Sequence, residues 1–166
     1  YRESTGQAVF CNADHTYSVE RAKEAIEAGY EMVIYDGADK SYEENIQNTR
    51  EVVMFRNDIN PDCLIEAEYG FIGKGSDMKE SIPEGVSPET MTKPEEALHF
   101  IQQTGIDLLA PSVGNVHGMV KGGDPALDET RVRAIRAMVD VPLVLHGGSG
   151  SSDKKKKKVI VAGISL

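Results

Sequence analysis

The chain has 166 residues, 40% of them hydrophobic and 27% charged, which is ordinary globular composition and enough for a substantial core. A formal net charge of -9 excludes a general nucleic-acid surface, because neutralising phosphates needs a basic field. No apolar run approaches the roughly 18 residues of a membrane span, and no basic stretch leads into an apolar one as in a signal peptide, so neither a membrane nor export is expected.

Along the chain, short β-rich runs alternate with segments of helical period, the pattern of βα units on a parallel sheet. The runs are "AVFCNAD" (8–14), "EMVIYDG" (31–37), "CLIEAEYG" (63–70), "DLLAPSVG" (107–114) and "VPLVLHGG" (141–148). They predict five strands. Helices are expected after Ser18, after Ser41 with Glu44 completing a capping box, after Thr92, after Asp128, and over roughly Asp153 to Ala162. Gly29 and Gly105 suit left-handed positions after two of these helices. The stretch from Phe71 to Met91 carries Gly73, Gly75, Pro83, Gly85 and Pro88 and is expected to be a mobile loop over a site. Cys11 and Cys63 lack CxxC spacing and read as reduced thiols in strands, which favours the cytoplasm. The lysine run 154–158 reads as a solvated helix face. The chain opens on Tyr1 and ends in an apolar run, and is expected to be one partial domain, 1–166, of a longer protein.

Three of the four histidines, His15, His117 and His146, fall at or just beyond the carboxyl ends of the first, fourth and fifth predicted strands, and Glu68 falls near the end of the third. Parallel α/β folds gather such ends on one face. Three imidazoles and a carboxylate suit a zinc ion, which in catalytic sites keeps three protein ligands and one open position. Each residue also has a plainer reading: Asp14-His15 as a turn pair, His117 as a loop histidine, and Glu66 with Glu68 as a device against edge pairing. Asp36 ends the second strand and caps a turn or joins the site. His99, in mid-helix, is read as packing or surface. Gly118, Gly147, Gly148 and Gly150 expose backbone N–H groups around Ser149, a setting that holds phosphate without side-chain charge, and Lys121 adds a point charge.

Asp14-His15, "EAEYG", "GNVHG" and "HGGSG", in this order and spacing, resemble the motifs of the class II, zinc-dependent ketose-bisphosphate aldolases. The resemblance covers nearly the whole chain and includes "YDGADKSYEENI" and "SSDKKKKKVIVAGIS". It implies an α/β fold, the (β/α)₈ TIM barrel, with strands three to seven represented here and the eighth after Leu166. It further implies zinc held by His15, His117 and His146, with Glu68 as an alternate ligand and Asp14 as the catalytic acid. Gly118, Gly147 and Ser149 match phosphate-binding positions, and Lys121 matches less closely. The implied reaction is reversible aldol cleavage of a ketose 1,6-bisphosphate to triose phosphates through a zinc-stabilised enediolate, in a homo-oligomer, dimer or tetramer. The loop "FIGKGSDMKESIPEG" departs from the family's acidic pattern, leaving Glu80 or Asp77 as candidates for a loop base. Two rivals stay open: a barrel metallohydrolase, and a non-catalytic sugar-phosphate-binding relative.

Overall fold

The computed structural model describes residues 2–7, 9–73, 75, 77–121, 123 and 126–166, with Arg2 and Glu3 described by backbone alone. Ala8, at the head of the first predicted strand, and Lys74 and Ser76, in the long loop, lie outside the described residues. The element order is α1 (Arg2–Thr5), β1 (Asn12–Thr16), α2 (Val19–Glu27), β2 (Met32–Asp36), α3 (Tyr42–Ile59), β3 (Leu64–Tyr69), α4 (Pro94–Thr104), β4 (Leu108–Pro111), α5 (Glu129–Met138) and α6 (Asp153–Ala162), with a 3-10 turn at Gly148–Gly150 before α6. The strands form a parallel sheet in sequential order β1-β2-β3-β4.

Period-two alternation gives this sheet two faces. Val33, Tyr35, Ile65, Ala67 and Leu109 pack into the main core with Ala22, Ile26, Val52, Phe100 and Ile135 of the helices. Met32, Leu108, Ala110 and Val144 form a smaller apolar cluster. The register pairs Ile34 with Glu66 and Glu66 with Leu108, and Asp36 with Glu68 and Glu68 with Ala110, so the three acids share the face of the smaller cluster.

Local chemistry starts most helices where expected. Ser18, Ser41 and Asp128 accept the backbone N–H of Arg21, Glu44 and Arg131 through their side chains. Gly29 and Gly105 follow α2 and α4 at φ +84 and +72. α6 spans the expected range, and its lysines 154, 157 and 158 are exposed, with Lys156 paired to Asp153 and Lys158 to Glu129.

Four expectations are corrected. Thr92 is not the cap of α4: Lys93 holds that place, and the Thr92 hydroxyl donates to the Tyr69 carbonyl and accepts the Ser112 N–H, tying the ends of β3 and β4 together. The first strand begins at Asn12, four residues late, because the chain meets β2 only at Cys11, whose carbonyl accepts from Glu31 and Met32; Val9 and Phe10 are exposed. Cys11 and Cys63 therefore precede strands instead of lying in them, and both are free thiols. The fifth predicted strand is reduced to bridges of Leu143 with Leu109 and with Ile164, so the sheet already takes up its next strand position before Leu166.

Candidate metal centre

Each site side chain sits at the carboxyl end of a strand or in the loop beyond it. On β1, Ala13 pairs with Val33 but Thr16 pairs with Tyr35, so one extra residue bulges out at Asp14-His15. His15 takes φ +51, the only non-glycine residue with positive φ among those described. That conformation is costly for an L-residue and is held by the surrounding structure. The bulge turns the His15 ring toward the other two histidines, with centroids 4.8 Å from His117 and 4.7 Å from His146.

Two glycine-bearing loops bring in those rings. His117 follows β4, and its N–H donates to the Ile72 carbonyl at 3.0 Å. Asn115, fully buried, accepts the Val113 N–H through Oδ1 and donates through Nδ2 to the His146 carbonyl at 3.0 Å, so one side chain ties both loops. Gly147 lies at φ +65, and a Cβ there would sit 2.5 Å from the Val116 carbonyl. Only glycine lets the two loops approach this closely.

Ring nitrogens of His15, His117 and His146 and a carboxylate oxygen of Glu68, one atom from each, all lie within 4.8 Å of one another. The neighbouring acids decide which ring atoms face inward. Asp36 Oδ2 lies 3.0 Å from His15 Nδ1, and Glu66 Oε1 lies 2.6 Å from His146 Nε2. An ionised carboxylate only accepts, so Nδ1 of His15 and Nε2 of His146 carry the protons. His15 Nε2 and His146 Nδ1 are left with lone pairs, the form a metal needs. Nε2 of His15 and Nε2 of His117 are buried without a hydrogen-bond partner. Asp36, Glu66 and Glu68 are 4%, 1% and 2% exposed, a concentration of buried negative charge that calls for a compensating cation. Orphaned imidazole nitrogens facing a buried carboxylate fit a divalent ion of the zinc type.

Electrostatics separates the histidines. The hydrogen bond to Asp36 raises the pKa of His15 against the opposing effect of burial. Burial lowers that of His117 and favours its neutral form.

A cavity of roughly 490 Å³ opens above the cluster, lined by Asp14, Tyr17, Gly75, Gly118, Leu145 and Gly147–Ser149 together with the three histidines. Asp14 is exposed, with Oδ1 3.7 Å from His15 Nε2. Gly75 brings the long loop to the rim. That loop is anchored by a bridge of Lys79 with Val120 and by Arg131, which donates to the carbonyls of Pro88 and Thr92. Lys121 is not among the lining residues, and its ammonium pairs with Glu80 at 2.6 Å. Asp77 and Glu80 are exposed, and neither lines the cavity.

Sequence reasoning underrated the second layer of the site. Glu66 is no edge device, since β3 lies inside the sheet and its carboxylate is buried on His146. The signal was the period-two spacing with Glu68. Asp36 both binds His15 and accepts the Ala38 N–H, so its two readings hold together. His99 is exposed, with Nδ1 2.9 Å from the Tyr42 hydroxyl, away from the cluster.

The parallel α/β sheet carries at its carboxyl edge a cluster of three histidines and one carboxylate that could hold a metal ion, the edge at which α/β barrels build their active sites. Residues 2–165 match the family model "Fructose-bisphosphate aldolase class-II", and the chain belongs to that family. It is 38% identical over 155 residues to a fructose-bisphosphate aldolase of Staphylococcus epidermidis, covering 93% of this chain and 51% of the relative. It is 36% identical over 156 residues to a 6-phospho-5-dehydro-2-deoxy-D-gluconate aldolase of Shouchella clausii, covering 93% and 50%. The crystal structure of the YdjI aldolase from Escherichia coli K12 superposes with a TM-score of 0.80 at 32% identity, covering 99% of this chain and 54% of that one. The chain thus spans about half the length of the curated relatives it matches. With the parallel sheet, these likenesses make the fold an arc of the class II aldolase barrel.

Proposed function

We propose that the protein catalyses reversible aldol cleavage of a ketose 1,6-bisphosphate to dihydroxyacetone phosphate and glyceraldehyde 3-phosphate, with zinc held by His15, His117 and His146 and with Glu68 as an alternate ligand. The observation that carries this reading is the set of converging donor atoms with two buried imidazole nitrogens lacking any partner, at the carboxyl edge of the sheet. When bound, the ion supplies Lewis-acid charge against the negative charge that develops on the ketone oxygen as the carbon–carbon bond breaks.

Asp36 and Glu66 hold the His15 and His146 rings in the tautomers a metal accepts. Asp14, exposed on the cavity wall, gives a proton to the aldehyde oxygen in condensation and takes it back in cleavage, work worth on the order of 10² to 10⁴ in rate. Backbone N–H groups of Gly118 and Gly147 and the Ser149 hydroxyl receive a phosphate of the substrate. Lys121 joins them by leaving Glu80, an exposed pair worth about 1 kcal/mol or less. The relatives named for fructose bisphosphate and for a phosphorylated sugar acid differ in the aldehyde half of the substrate, so that half decides specificity. A cytoplasmic homo-oligomer, dimer or tetramer, completes the proposal.

The test is release of triose phosphate from fructose 1,6-bisphosphate, abolished by a chelator and restored by zinc. Asp14→Ala is expected to keep zinc and lose most turnover, and His146→Ala to lose both. Full turnover in Asp14→Ala, or after complete metal removal, would overturn the assignment. Hydrolysis without carbon–carbon cleavage would favour the metallohydrolase.

A further inference from the structure

Beyond the main cavity lies a second hollow of roughly 370 Å³, lined by His15, Thr16, Tyr17, Ser18 and Arg21. The two hollows share His15 and Tyr17. Tyr17 stacks on the His15 ring, with centroids 6.0 Å apart and planes 15° apart, so a histidine of the candidate metal cluster and its stacked tyrosine form the common wall.

The two linings differ in charge. Among the described residues, those that line the main cavity include no lysine or arginine, whereas the second hollow contains Arg21. The local fold puts it there. β1 ends at Thr16, just past the bulge at Asp14-His15, Ser18 caps α2, and the Ser18 hydroxyl accepts the Arg21 N–H at 3.2 Å, fixing Arg21 in the first turn. Its side chain is 76% exposed and, among the described residues, its guanidinium is met by Glu24 at 2.7 Å, three residues on along the same helix. Such an exposed pair contributes little and exchanges readily for a better anion. A guanidinium offers two parallel N–H donors, the geometry that matches a phosphate or carboxylate.

We infer that Arg21 is a specificity-determining residue that binds an anionic group, phosphate or carboxylate, on the aldehyde-derived half of the substrate. The inference rests on the proposed aldol reaction. A substrate with two anionic ends needs two binding regions flanking the bond that breaks. The glycine turns at 118 and 147, joined by Lys121, take one end. Asp14, which acts on the aldehyde oxygen, lines the main cavity together with His15 and Tyr17, the wall shared with the Arg21 hollow, so the aldehyde half lies toward that wall. Glu24 holds the guanidinium when that anion is absent.

The experiment is condensation of dihydroxyacetone phosphate with glyceraldehyde 3-phosphate, with succinic semialdehyde and with uncharged glyceraldehyde, by the full-length protein and its Arg21→Ala and Arg21→Lys variants. Arg21→Ala is expected to raise KM for an anionic aldehyde about tenfold. It should leave kcat/KM for glyceraldehyde within about twofold, and Arg21→Lys should recover part of the loss. The larger loss, with the phosphate or with the carboxylate, identifies the group. The unmodified protein should also show a KM for that aldehyde that rises with salt more steeply than in Arg21→Ala. Equal losses with charged and uncharged aldehydes, or unchanged KM values throughout, would overturn the inference alone. Failure of the unmodified protein to condense any aldehyde would overturn the aldol reading and the inference with it.

Discussion

Replacing Gly147 by alanine puts a methyl group into the seam between two histidine loops. The new Cβ would lie 2.5 Å from the carbonyl carbon and oxygen of Val116 and 2.9 Å from the His117 nitrogen, all backbone atoms that no side-chain rotation can clear. The residue would also keep φ +65, which costs an L-residue about 1 to 2 kcal/mol. Forcing a methyl into a packed site adds typically 1 to 3 kcal/mol. The expected loss is therefore about 3 kcal/mol or more, together with a displaced His117. Gly29→Ala is the control, since Gly29 has φ +84 but nothing within 4 Å of its Cβ and carries only the conformational part. Equilibrium denaturation of both metal-free variants separates the two costs. Equal losses would refute the close approach of the loops and with it the reason for glycine after His146.

Three further outcomes follow from the packing around the site. Arg56, 6% exposed, is held by the Asp107 carboxylate at 2.7 Å, which also accepts the Ile65 N–H at the start of β3; Asp107→Ala should cost about 3 kcal/mol in denaturation, and much of that should return when Arg56→Met removes the stranded charge. Lys93 and then Tyr69 hydrogen-bond to Glu96 and lower its pKa below 4.5, so this carboxylate contributes stability that is present above that pH and lost as pH falls through its folded value; Tyr69→Phe should lose about 1 kcal/mol at neutral pH and show a smaller loss of stability as pH falls below 4.5. Cys63 is fully buried and its thiol pKa is raised by burial, whereas Cys11 is exposed, so a thiol-alkylating reagent should modify Cys11 in the native protein and reach Cys63 only on unfolding, as peptide mass mapping would show.

The parts of this protein legible in its sequence are those decided locally. Ser18, Ser41 and Asp128 cap helices through bonds to residues three positions away, and such bonds survive any tertiary arrangement. Thr92 has the same chemistry but is claimed by Tyr69 and Ser112, twenty or more residues distant, and so no window around it could exclude a cap. The placement of His15, His117, His146 and Glu68 at strand ends was legible because a parallel sheet gathers those ends on one edge. The means of convergence was not. The bulge that turns His15 depends on β1 and β2 falling out of register, and the buried role of Glu66 depends on a histidine 80 residues away. Arg21 is an ordinary surface arginine in sequence and becomes notable only beside the shared Tyr17 wall.

The central claim is that four side chains remote in sequence hold one divalent ion. Elemental analysis of the purified full-length protein, after chelation and reconstitution with zinc, tests it most directly when paired with His117→Ala, which removes a buried ring nitrogen that has no other partner. The account predicts about one tightly held zinc per chain in the unmodified protein and a large loss of zinc in the variant. Zinc retained equally in both, or absent from a folded unmodified protein, would contradict it.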